Sequence, residues 1–84
     1  MPDEDNMFYV YALRSLKDGR LYIGQTSDLE KRIQWHNDGL QKSTKHRIPF
    51  EIIYYEKFDT RKEAMAREKI LKTGKGREFL NKQV

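Results

Sequence analysis

Hydrophobic and polar residues along the chain change period several times. Met7-Phe8-Tyr9-Val10-Tyr11-Ala12-Leu13 is a run of strand formers. Lys17-Asp18-Gly19 follows it, and Asp-Gly is a strong turn signal. Arg20-Leu21-Tyr22-Ile23-Gly24 then reads as a second strand, paired with the first as an antiparallel hairpin. Tyr9 and Tyr11 alternate and share a sheet face, which Tyr22 can join from the paired strand. Gln41 to Arg47 is polar and basic and reads as a loop, and Ile48-Pro49 keeps the chain extended after it. Phe50-Glu51-Ile52-Ile53-Tyr54-Tyr55-Glu56-Lys57-Phe58 is the third strand, with Phe50, Ile52 and Tyr54 expected on one face and Ile53 and Tyr55 on the other.

Two other stretches follow the helical period. Ser27-Asp28-Leu29-Glu30 has capping-box spacing, with Ser27 as the expected cap of a helix from about Asp28 to Asn37 that stops near Gly39. Leu29 and Ile33 share its apolar stripe, and Arg32 and His36 lie on one face. Thr60-Arg61-Lys62-Glu63 is a second capping box, opening a helix to about Lys72. Ala64, Met65, Leu71 and Lys72 fall on its inner stripe, and Glu68 falls within that stripe. Thr73-Gly74-Lys75-Gly76 is expected to end this helix, with a short final helix over Arg77 to Lys82 carrying Phe79 and Leu80. The order β-β-α-β-α-α predicts an α+β fold, a small three-stranded antiparallel sheet flanked by helices.

With 84 residues, 37% hydrophobic, the chain has room for one core. Residues 7–84 read as a single domain and residues 1–6 as a disordered acidic tail. A compact chain of this length has a radius of gyration of about 12 Å, so chemistry belongs on an open face and not in an enclosed cavity. There is no cysteine, which excludes disulfides, a thiolate zinc site and a cysteine nucleophile. No apolar run approaches the roughly 20 residues of a membrane span, the first residues resemble neither a signal nor a transit peptide, and a cytoplasmic location fits. The net charge is +4. Asp3, Glu4 and Asp5 fall in the tail, so residues 7–84 carry +7 and suggest a polyanionic partner.

Three groups of residues have chemical potential. Glu68 is a carboxylate on an apolar stripe, which is costly unless it is paired or holds a cation. A salt bridge to Lys72, Arg67 or a residue across the fold is the plain reading, and a metal ligand the functional one. Arg32 and His36 can stabilise phosphate charge and move a proton, or form an exposed basic helix face. Tyr9, Tyr11 and Tyr22 can be ordinary sheet packing, or hydroxyls made useful by a nearby cation. Lys42, Lys45, His46 and Arg47 in the loop, and Lys69, Lys72, Lys75 and Arg77 near the end, suit backbone phosphates or plain solvation. Trp35 and Tyr55 could stack on bases, although packing is the simpler role. His36 and His46 do not make a zinc site.

Taken together, these residues resemble the GIY-YIG nuclease superfamily, in its small single-domain bacterial form. Tyr9-Val10-Tyr11 stands at the GIY triplet, and Tyr22-Ile23-Gly24 is the YIG triplet itself. The stretches Asp28–Asn37 and Ala66–Lys72 look like the arginine-bearing and glutamate-bearing helices. The resemblance spans about Met7 to Lys82. It implies metal-dependent cleavage of DNA phosphodiesters, structure-specific in repair or recombination, with one Mg²⁺ (or Mn²⁺). By position, Tyr11 and Tyr22 take the water-activating roles, with the general base open between them. Arg32 takes the phosphoryl-stabilising role, His36 the histidine beside the nucleophile and Glu68 the metal. The Tyr11 and Tyr22 hydroxyls are expected near each other, and Gly24 is expected to let the backbone turn closely at the site. Asn81 lies where some members carry a functional asparagine. The chain departs from the pattern at Tyr9 and Val10, which replace glycine and isoleucine. It also lacks an added DNA-binding domain, which leaves Lys42, Lys45, Arg47, Lys72 and Lys75, or a partner protein, to supply substrate contacts. DNA is the expected partner, RNA an open alternative, and the protein a monomer or weak homodimer. Two rivals remain: a non-catalytic nucleic-acid-binding module of the same fold, and a protein whose basic surface meets an acidic partner.

Overall fold

The first two apolar runs form β1 (Phe8–Ser15) and β2 (Leu21–Thr26) in a computed structural model that describes residues 7–83. The tail expected over residues 1–6 lies outside the described residues. Helix α1 (Leu29–Asn37), β3 (Phe50–Phe58), α2 (Arg61–Leu71) and α3 (Gly74–Asn81) complete the chain, and Lys45–Arg47 forms one 3₁₀ turn within the basic loop. The order is β-β-α-β-α-α, as the sequence predicts.

The sheet order is β2-β1-β3, antiparallel throughout. β1 is therefore central, and its Val10, Ala12 and Leu13 are fully buried. Alternation along β1 sends Val10 and Ala12 to one face, where they pack with Ile23, Ala64, Leu71 and Leu80 under α2 and α3. Tyr11 and Leu13 go to the other face and pack with Phe50, Tyr22, Leu29 and Ile33 under α1. Burying each large apolar side chain contributes about 1.5–3 kcal/mol, so both helical layers are held by the central strand.

The structure corrects four expectations about elements. Ile53 is an extra residue in β3: the partner of Ala12 is Tyr54 and that of Leu13 is Ile52. This bulge puts Ile53 and Tyr54 both against the α2/α3 core, while Phe50 packs on the α1 side, so Phe50, Ile52 and Tyr54 do not share a face. The cap of α1 is Asp28, whose side chain accepts from the Lys31 amide at 3.1 Å; Ser27 is one residue too early. Met65 is 52% exposed, leaving Ala64 and Leu71 as the buried positions of α2. Thr73 caps α3 by accepting from the Gly76 amide, so Gly74 to Gly76 open a helix where they were expected to end one. The Thr60 cap of α2 and the turn at Gly39, with φ +77°, match the sequence reading.

Candidate active site

Tyr11 lies opposite Gly24 in the β1–β2 register. A Cβ at residue 24 would stand 2.6 Å from the Tyr11 hydroxyl oxygen and 2.9 Å from its Cζ. The missing side chain therefore makes room for the Tyr11 ring to cross β2. Positive φ is confined to Gly19 and Gly39 among the described glycines, so Gly24 serves by its space and not by an unusual backbone turn. Tyr22 pairs with Leu13, diagonal to Tyr11, and the two rings stand 6.4 Å apart.

Leu29 and Ile33 seat α1 on this face of the sheet, and the helical period then turns His36 inward. His36 is fully buried, so the Arg32–His36 face is not an exposed basic surface. Its Nε2 is 3.0 Å from the Tyr11 hydroxyl and its Nδ1 is 3.3 Å from Thr44 Oγ1. The Thr44 hydroxyl donates to the Gln41 carbonyl at 3.4 Å. With its proton so used, Thr44 accepts from His36 Nδ1–H, and the bare Nε2 accepts from the Tyr11 phenol. Charge states agree with this direction. Burial pulls the His36 imidazole down to about 4, and the Arg32 charge adds to the effect. Burial also raises the Tyr11 phenol far above its ordinary value; Tyr22 adds to the rise and Arg32 opposes it. At neutral pH both partners are uncharged.

Two groups on this face remain available. Tyr22 is half-buried, 4.8 Å from the His36 ring, and its hydroxyl has no protein hydrogen bond among the described residues. Arg32 is half-buried with its guanidinium 4.6 Å from the Trp35 ring centroid, a cation–π contact that fixes the charge at the rim of α1. Trp35 thus packs on Arg32 and His36. Tyr55 is exposed and meets Tyr9 edge-on.

Glu68 approaches β2 from α2. Its Oε1 accepts from Gln25 Nε2 at 3.2 Å, and its Oε2 pairs with Lys72 Nζ at 2.8 Å. The salt bridge read from the sequence is present, and it bears on the metal reading as well. Lys72 is half-exposed and already places a cation on Oε2, so the position suits positive charge. Among the described residues no three His, Cys, Asp or Glu gather as a metal cage. One carboxylate fits Mg²⁺, which keeps several waters and takes other ligands from phosphate.

The basic residues do not form one surface unit. Lys42, Lys45 and Lys75 are exposed and make no ion pair among the described residues. Arg47 is held by Asp18 at 3.3 Å and by the Leu21 carbonyl at 3.2 Å, at the turn end of the hairpin. Lys72 lines the cleft beside Glu68 instead. Asn81 accepts from Arg14 at 3.2 Å, also at the hairpin end and apart from Tyr11 and His36. Sequence reasoning missed Thr44 and Gln25. Thr44 sits in a basic loop with no periodicity to mark it; only the need of a buried His36 for an Nδ1 partner points to it. Gln25 follows the YIG triplet directly, and the alternation of β2 aims it at α2.

Comparison with known proteins agrees with this fold. Residues 7–82 match the GIY-YIG catalytic domain. A UPF0213 protein of Staphylococcus saprophyticus is 48% identical over 66 residues, covering 77% of this chain and 79% of that protein. One from Bacillus licheniformis is 47% identical over 66 residues, covering 77% and 67%. The solution NMR structure of a UPF0213 protein from Bacillus halodurans superposes with a TM-score of 0.55 at 35% identity, covering 90% of this chain and 83% of that one. With the strand order, the triplets and the helices all in place, the chain belongs to the GIY-YIG catalytic-domain family, among the small bacterial UPF0213 proteins.

Proposed function

We propose that this protein is a divalent-metal-dependent endonuclease that hydrolyses phosphodiester bonds of nucleic acid, with DNA as the first substrate to test. One observation carries the reading. Gly24 and Gln25 are adjacent on edge strand β2; Gly24 underlies the Tyr11 hydroxyl, and Gln25 holds Glu68. The tyrosine–histidine cluster and the carboxylate therefore converge at one open edge, from opposite layers of the sheet.

Hydrolysis needs a positioned water, compensation of charge on the phosphoryl oxygens, and help for the leaving oxygen. Tyr22 is the residue we assign to the water, because its hydroxyl has no partner among the described residues and its ring is only half-buried. Tyr11 is 1% exposed and tied to His36, so it acts as a positioning residue that holds the His36 ring against Tyr22. Arg32 offers its charge to the equatorial oxygens as water attacks phosphorus and the bond to the leaving oxygen breaks. Glu68 would hold the metal, which supplies Lewis-acid polarisation of a phosphoryl oxygen and charge for the leaving oxygen.

The test is cleavage of labelled duplex, flap, branched and single-stranded DNA in Mg²⁺, Mn²⁺ and EDTA. EDTA and Glu68→Ala should each abolish cutting, and Tyr22→Phe should lower the rate by about 10²–10⁴-fold, the usual worth of acid–base help. Full metal-dependent activity in Glu68→Ala would remove the proposed site. The Glu68–Lys72 pair favours a second reading, in which the carboxylate is already neutralised and the domain only binds nucleic acid. That reading requires steeply salt-dependent binding with no Mg²⁺-dependent products.

A further inference from the structure

A small cleft at the turn end of the β1–β2 hairpin belongs to neither cluster above. Gly19, Arg20, Leu21, Arg47, Arg77 and Asn81 line it. Arg14 reaches two of these residues, donating to the Gly19 carbonyl at 2.9 Å and to Asn81 Oδ1 at 3.2 Å. Its Nε is buried without a hydrogen-bond partner among the described residues. Arg47 is pinned by Asp18 and the Leu21 carbonyl. Arg20 and Arg77 are exposed, and their side chains make no ion pair among the described residues. Four guanidinium groups thus line or adjoin this cleft, and among the described residues only that of Arg47 is ion-paired, with Asp18. Such a concentration raises the local positive potential. A buried guanidinium N–H without an acceptor is unfavourable, and a nearby anion offsets its charge.

The dimensions limit the ligand. The cleft measures about 260 Å³, below the roughly 300–1,000 Å³ of pockets that enclose a drug-sized molecule. It suits one anionic group presented from outside. Arginine forks match phosphate oxygens bidentately, and two of these arginines are already fixed in place. The position adds a second constraint. Leu21 opens β2 and Gln25, which holds Glu68, lies four residues further on. At about 3.3 Å per residue the separation along the strand is about 13 Å. A nucleic-acid strand advances about 3.4 Å per nucleotide along its axis, so this is about four nucleotides.

We propose that this cleft is a second phosphate site, taking a backbone phosphate of the nucleic acid about four nucleotides from the one at Glu68, through Arg20, Arg47 and Arg77. The inference rests on the proposed function for the kind of ligand and for the phosphate at Glu68 from which the spacing is counted, but not for cleavage. It gives Arg47 a role distinct from that of the loop lysines: a fixed fork at the end of the edge strand.

Equilibrium binding in EDTA tests it, using the full chain with a short labelled duplex and the matching single strand across a salt series. Arg20→Ala, Arg77→Ala and the double variant are compared with the unaltered protein. Arg20 and Arg77 side chains make no hydrogen bonds among the described residues, so the fold should hold, and thermal melts check this. The log–log salt slope should fall by about 1 for each arginine removed. An uncharged methylphosphonate, walked along the strand one position at a time, should weaken binding at one position and add nothing further in the double variant. An unchanged slope and affinity in the double variant overturns the proposal, as would be found if the cleft received an acidic protein. If the arginines set the slope but Mg²⁺ produces no cutting, the phosphate site stands and the endonuclease reading falls. If cutting occurs with an arginine-independent slope, the reverse holds.

Discussion

At Gly24 the whole site depends on one missing methyl group. A Cβ there would lie 2.6 Å from the Tyr11 hydroxyl, too close for both to stay. The Tyr11 ring comes from the central strand and packs on both Tyr22 and His36, so it has little freedom to yield. Gly24→Ala should therefore lower stability by about 1–3 kcal/mol, the usual cost of overpacking, and should displace the Tyr11 and His36 ring resonances in NMR spectra. Unchanged aromatic resonances would mean the ring is not held as described. His36 makes a prediction in pH. Its folded value is about 4, against 6.5 for an ordinary imidazole. Between these values the unfolded chain binds a proton that the folded chain refuses, so stability is full above about 6.5 and declines as pH falls toward about 4. The difference amounts to something on the order of 3 kcal/mol. Urea denaturation across that range should show a steeper acid loss in the unaltered protein than in His36→Asn, and parallel curves would refute the neutral buried histidine. The sequence gives little warning of this. The Arg32–His36 spacing marks a helix face, but only the packing of Leu29 and Ile33 turns His36 into the protein.

Among the elements, α2 and α3 meet at Gly76. A Cβ there would stand 2.5 Å from the Leu71 Cα and carbonyl oxygen, and would also strike the Ile70 carbonyl. These are backbone atoms, which cannot swing aside. Gly76→Ala should therefore destabilise the protein by at least the 1–3 kcal/mol typical of overpacked cores, although alanine is the better helix former by about 1 kcal/mol. A lower urea midpoint with an unchanged slope checks this; a higher midpoint would mean that propensity outweighs the contact. The same glycine explains an error of sequence reading. Glycine is a poor helix former, so Gly74-Lys75-Gly76 reads as a terminator when local preference is all that is visible. Its tertiary use, as a point of close approach, is invisible until α2 and α3 are packed. The β3 bulge is similar: its alternation looks regular, and only pairing with β1 reveals the extra Ile53. By contrast, the Thr60 cap, the Gly39 stop and all three strands rest on short-range signals, and these were legible.

Across the whole molecule, the sheet separates the proposed machinery into two layers. Tyr11, Tyr22, Arg32 and His36 belong to the α1 side, and Glu68 to the α2 side; they approach each other only around β2, which is an edge because β1 takes the centre. The radius of gyration of 12.9 Å is close to the value of about 12 Å expected from the chain length, and the proposed site lies along an edge strand. The element order and the triplets made this topology legible in the sequence, but the state of Glu68 was not, since an apolar-stripe carboxylate pairs equally well with a lysine or a metal. The structure shows the lysine pair, and the proposed metal would have to compete with it. Lys72 Nζ sits 2.8 Å from Oε2, so a cation held by this carboxylate would share it with the ammonium or displace it. An i,i+4 helix pair is worth about 0.3–0.5 kcal/mol, so displacing it weakens metal binding about twofold, and repulsion between ammonium and cation weakens it further. Lys72→Met should then bind Mn²⁺ more tightly than the unaltered protein in the absence of nucleic acid, while Glu68→Gln should bind it hardly at all. Electron paramagnetic resonance of free Mn²⁺ measures both without reference to cleavage. The same affinity in all three proteins would show that Glu68 holds no metal, leaving its bond to Lys72 as the whole of its role.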